Sequence, residues 1–258
     1  MPPAQPPFVM TILRSAGESW WRDFAPITIL GLLLLTGTEL AVYATGGSAS
    51  SDPNTQTLVQ TAKAAAFSLF VAAVSAGHLL RLSEPSPAPK TYVLGGLRLA
   101  QPGLLTALTI AAVLFGLLII DLILRALLGG WSSLFVFALS LFVIALWLPA
   151  IPAAIAERLP PLTAMKRGAN LTKGMRGRLT GLVLFAAALL IPPFMAIYAV
   201  VYGVTAVPSD EGALSALPAL TPATARFWIV ELSDVIFGGL IASIPPAVYL
   251  ALRTSPPR

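Results

Sequence analysis

From Ala126 to Ala156, and again from Leu179 to Val207, the chain carries no charged side chain. A helix of about 20 apolar residues already crosses the hydrocarbon of a bilayer, so runs of this length point to lipid as the solvent. Apolar stretches of sufficient length lie at roughly 26–44, 64–80, 104–128, 131–156, 179–207 and 227–252. The composition agrees: 57% of residues are hydrophobic and 10% are charged, where a soluble domain carries about a quarter charged. The expectation is an all-α polytopic membrane protein with six transmembrane helices. A five-span reading would break 104–156 differently around Gly129-Gly130-Trp131, but that region is too long for one crossing and the glycine pair is a ready turn. The last three stretches exceed a straight span. Pro149 and Pro152, Pro192-Pro193 and Pro245-Pro246 are expected to bend them.

Orientation follows from the cations. With the N-terminus inside, thirteen of the sixteen Lys and Arg residues fall on the inner side, leaving Lys63, Arg125 and Arg226 outside. That asymmetry predicts N-in, C-in topology. The densest block, Glu157–Arg178, contains six of those cations. Carboxylates run the other way, with Glu39, Asp52, Asp121, Asp210, Glu211, Glu231 and Asp234 in or beyond the outer half. No short apolar core ends in a small-residue cleavage site near the N-terminus, so the first span is read as retained. Four lysines against twelve arginines, with abundant alanine, point to a GC-rich bacterial genome and a bacterial inner membrane.

Three inner segments, Phe8–Arg22, Lys90–Ala100 and Leu162–Met175, read as interfacial helices. In the first, Val9, Ile12, Leu13, Ala16 and Trp20 share one face while Arg14, Glu18 and Arg22 form an i, i+4 ladder on another. Trp20 and Trp21 suit headgroup level. The chain reads as one integral membrane domain, 1–258. Within it, an interfacial segment, a span out and a span back suggest three two-span units at 8–85, 89–160 and 162–258. Ordinary in-out alternation gives the same pattern without a true repeat.

Net charge of +5 beside apolar spans favours anionic lipid of the inner leaflet over nucleic acid as the partner. Lys166, Arg167, Lys173, Arg176 and Arg178 are the candidate lipid contacts; alternatively they only enforce topology. With no cysteine and one histidine, His78, there is no basis for a disulfide, a thiol nucleophile or a histidine-pair metal site. No cofactor and no metal are expected.

The order Glu157, then Leu162-Thr163-Ala164-Met165-Lys166-Arg167-Gly168, then Leu171-Thr172-Lys173-Gly174 and the arginines 176 and 178 resembles the membrane-domain family that accompanies glycerophosphoryl diester phosphodiesterases. Ile12-Leu13-Arg14 before the first span is similar too, while Gly168 stands where that family usually carries serine. The resemblance implies a membrane module without the family's catalytic barrel, which uses paired histidines and carboxylates on a divalent metal.

Ionisable groups inside spans are costly and by default face protein or a water-filled cavity. Glu39 in the first span and Asp234 in the last are the sharpest candidates for binding an ion or substrate. Glu231, at i−3, shares a helix face with Asp234. Asp121 and Arg125, at i, i+4, are further candidates that can also pair with each other. If the carboxylates converge, they make an acidic outer vestibule for a cation, a proton or an amine. Otherwise each sits at headgroup depth or satisfies a neighbouring helix. The leading functional expectation is a non-enzymatic membrane module that scaffolds or supports a partner protein or lipid process. The alternative is a small transporter for a cation, proton or amine.

Overall fold

The computed structural model describes residues 8–47, 52–82, 87–129, 131–202 and 221–253. Among them the chain is helical, with no strand. We number the helices α1 Phe8–Arg22, α2 Phe24–Ala44, α3 Pro53–Leu80, α4 Pro89–Leu99, α5 Gln101–Leu128, α6 Ser132–Glu157, α7 Pro161–Leu171, α8 Arg176–Tyr202 and α9 Ala225–Arg253. Six of these, α2, α3, α5, α6, α8 and α9, are long and apolar enough to cross a membrane. This is the architecture of a multi-pass all-α membrane protein. Asp210 and Glu211, and the tail beyond Arg253, lie outside the described residues.

The helices depart from the hydropathy boundaries where local chemistry outweighs hydropathy. α3 begins eleven residues before its apolar stretch, at Pro53. Asp52 caps it by accepting from the Thr55 N–H at 2.9 Å, and Pro53 at the first turn needs no donor of its own. The Thr55 hydroxyl, which donates to the same carboxyl at 2.8 Å, and then the Thr55 N–H hold Asp52 below its usual range. The extension brings Lys63 inside a helix.

The prolines do not act alike. Pro149 interrupts α6, which stops at Trp147 and resumes at Ala150. By contrast, Pro192-Pro193 and Pro245-Pro246 lie inside the unbroken helices α8 and α9. Neighbouring helices in a membrane bundle can re-satisfy the backbone groups that a proline frees. Near the middle of α2, Leu32–Thr36 winds as a π-helix.

α3 and α9 form the centre of the bundle, with over half of the apolar window of each buried; in α5 and α8 that share is 11% and 6%. The outer pair therefore presents Phe115, Ile123, Phe185 and Leu189 to lipid. Two clusters make the core. One joins Ile27 and Leu30 of α2, Phe70 to Val74 of α3, and Tyr92 and Val93 of α4. The other joins Ile12 and Ala16 of α1 to Leu179 and Leu182 of α8 and to Ile244, Ala247 and Val248 of α9. Helix α1 is thus anchored by a buried face rather than merely resting on a surface, while its Arg14–Glu18 pair, at 2.7 Å, stays exposed.

At the α3–α4 contact the helices touch backbone to backbone. A Cβ on Gly96 would stand 2.8 Å from the Ala73 carbonyl oxygen, and one on Gly77 would collide with the Tyr92 ring.

Candidate functional site

The first turns of α9 place Glu231 and Asp234 one turn apart on a face turned toward α2, α3 and α8. From α2 comes Glu39, just past the π-helical turn, and from α3 comes Lys63. All four side chains line one chamber of 460 Å³, whose other walls are apolar apart from Thr38 of α2: Phe67 from α3, Leu190, Ile191 and Phe194 from α8, and Phe237 and Ile241 from α9. The structure therefore brings together three of the carboxylates singled out in the sequence. Asp121 and Arg125 do not line the chamber; they pair with each other at 2.7 Å on α5.

Within the chamber the charges are unevenly matched. Lys63 Nζ lies 2.6 Å from Glu39 Oε1, while Glu231 is 5% exposed and its Oε2 has no hydrogen-bond partner. Asp234 Oδ1 is likewise buried without one, although Tyr198 of α8 stands beside this carboxyl group. Thr36, in the π-helical turn, sits next to Glu231 with its own buried hydroxyl unpartnered. Buried polar groups are normally satisfied, and π-turns recur at functional sites. Three carboxylates around a single cation leave the chamber short of positive charge. Among the described residues no group of His, Asp and Glu is arranged to hold a metal ion.

Sequence reasoning missed Lys63 as the internal counter-ion, because hydropathy placed it before the span. It also missed Thr36 and Tyr198, whose side chains carry no charge to attract notice.

A second charged cluster lies at the other, cation-rich end of α3. Asp23, in the joint between α1 and α2, is fully buried. It receives Arg81, whose Nε donates to Oδ2 at 2.8 Å and whose Nη2 meets Oδ1. His78 Nδ1 lies 2.9 Å from the Val74 carbonyl oxygen and 2.9 Å from the Tyr92 hydroxyl; its Nε2 faces Asp23 Oδ2 at 3.9 Å. Burial pushes the Tyr92 hydroxyl above its ordinary pKa and the Arg81 guanidinium below its own. His78 is therefore part of a packed joint between α2, α3 and α4.

Of the basic residues singled out for lipid, Arg167 Nε donates to both oxygens of Glu157 at 3.1 Å, and Tyr249 donates to Glu157 Oε1 at 3.2 Å. Those contacts tie α6, α7 and α9 together. Arg176 reaches back to the Ala169 carbonyl at 3.5 Å, and Arg178 lies against the Met175 sulfur. Lys166 and Lys173 are exposed.

Comparison of the chain with known protein families, curated proteins and solved structures finds no match.

Proposed function

We propose that this membrane protein binds a small organic cation in the Glu39–Glu231–Asp234 chamber and carries it across the bilayer. The observation that carries the reading is Glu231: a carboxylate 5% exposed, with an oxygen lacking any partner, facing a 460 Å³ space. An unpaired buried carboxylate is expensive, and a ligand ammonium would offset that cost. Lys63 holds Glu39 in the meantime, so the chamber keeps two acceptors for the ligand and one ion pair that can open. The chamber lies toward the cation-poor end of the bundle, and the Lys and Arg asymmetry supports reading that end as the outer one, with both termini cytoplasmic; the arginine- and alanine-rich composition supports a bacterial inner membrane.

Scaffolding of a partner protein or lipid process is the second reading; it rests on the resemblance of residues 157–178 and draws on no feature of the chamber.

The test is uptake of radiolabelled methylammonium into proteoliposomes. Wild-type protein should accumulate the label above empty liposomes, and D234N should lose that uptake at least about tenfold, a change expected when a buried charge partner is removed, while keeping its thermal midpoint. Equal uptake by wild type, D234N and empty liposomes would defeat the transport reading.

A further inference from the structure

A second chamber adjoins the first. It has a volume of 470 Å³ and is walled by α3, α5, α6, α8 and α9. Phe67, Leu190, Ile191 and Ile241 belong to both chambers. The two differ sharply in chemistry: the first holds every charged group, whereas the lining of the second is apolar apart from the Ser68 hydroxyl and the Trp147 indole N–H. Small side chains line it from two helices, Ala107 and Ala111 from α5 and Ala186 and Ala187 from α8. A charged chamber that shares a wall of four side chains with an apolar one of similar size suits a molecule with one cationic head and one hydrocarbon tail that passes between those side chains.

The head can be specified further. Glu231 Oε2 and Asp234 Oδ1, both from residues that line the chamber, are buried acceptors without a close hydrogen-bond partner; the Thr36 hydroxyl beside Glu231 is outside that lining and can itself donate. An acceptor is satisfied by an N–H, which a primary ammonium supplies three times and a quaternary one does not. Phe67, Phe194 and Phe237 line the same chamber and add aromatic faces that favour a cation.

We infer that the ligand is a primary alkylammonium, its head at Glu231 and Asp234 and its tail in the apolar chamber. This inference rests on the ammonium site proposed above and adds the tail. The same chemistry arrives either as a free amphiphilic amine or as an amine-headed membrane lipid.

The test compares butylamine with decylamine on the purified full-length protein in phosphatidylcholine nanodiscs, with binding to empty discs subtracted. Empty-disc subtraction matters because a bilayer takes up the longer tail by itself. Wild-type protein should bind decylamine at least about tenfold more tightly than butylamine, since each buried methylene favours binding. A187F and A111F, which fill the apolar chamber, should bring that ratio toward one, and having two variants guards against one of them misfolding. A wild-type ratio near one, or a ratio that neither variant moves, overturns the tail assignment while leaving the ammonium site standing. Binding of both amines that E231Q fails to weaken overturns the ammonium site itself. Repeating the titration in discs containing phosphatidylethanolamine separates the sources. Competition marks a membrane lipid as the carrier of the amine, and its absence marks a free amine; both support the chemistry.

Discussion

Helix α3 carries a charged cluster near each end, and the two are built on opposite principles. Lys63 and His78 stand fifteen residues apart, about 22 Å along the axis. At the His78 end, Asp23 is fully buried and both of its oxygens are met by Arg81. At the Lys63 end, three carboxylates share one lysine and a chamber, and two buried oxygens are left over. Charges that are fully paired and packed hold helices in place. Charges left short of partners around a space raise the energy of the empty state and thereby favour a ligand. The difference separates a structural joint from a binding site within one fold, although both are clusters of ionisable groups in apolar surroundings.

That contrast can be broken by mutation. The largest effect belongs to R81M, which strands the Asp23 carboxylate in the joint between α1, α2 and α3. Breaking a buried pair from one side typically costs about 3–5 kcal/mol, so the variant should unfold at markedly lower denaturant. D23L/R81M, with both charges gone, should recover most of that loss. A small effect of R81M alone would remove the structural half of the comparison.

G96A comes next. Its new methyl meets the Ala73 backbone carbonyl, which cannot rotate away as a side chain can, and overpacking of this kind costs about 1–3 kcal/mol. Thermal unfolding should show the loss, and a neutral result would mean that the α3–α4 joint yields more easily than its packing implies.

The smallest stability effect is expected from E39Q. The side chains of Lys63 and Glu39 are 38% and 27% exposed, and pairs so placed contribute about 0–1 kcal/mol. An unfolding cost comparable to that of R81M would make the chamber a second structural joint.

How much of this was legible in the sequence depended on the physical signal each feature leaves. The six spans were readable because lipid imposes length and hydropathy on every crossing. Glu39, Glu231 and Asp234 stood out because an ionisable residue inside an apolar run has few explanations. Their convergence was not readable, since it depends on which faces of α2 and α9 meet. Lys63 escaped because an Asp52 N-cap on Thr55, with Pro53 in the first turn, starts α3 well before its apolar stretch begins. Arg81 entered the sequence reading only as one of the inner cations, yet it and Asp23 are partners 58 positions apart, and only tertiary contact reveals such a pair. The prolines were legible as sites of strain but not in their outcome: Pro149 interrupts its helix, whereas Pro192-Pro193 and Pro245-Pro246 lie inside continuous ones, because in a bundle the neighbours decide what a lost hydrogen bond does.

The chamber's role is tested most directly by measuring methylammonium binding and thermal midpoint on the same preparation of wild type and E231Q. A ligand site whose empty state carries a buried carboxylate without a counter-ion of its own should lose affinity on that substitution while its midpoint stays level or rises, because the glutamine removes a charge held in largely apolar surroundings. A lowered midpoint with unchanged binding would contradict the account and make Glu231 a structural residue like Asp23.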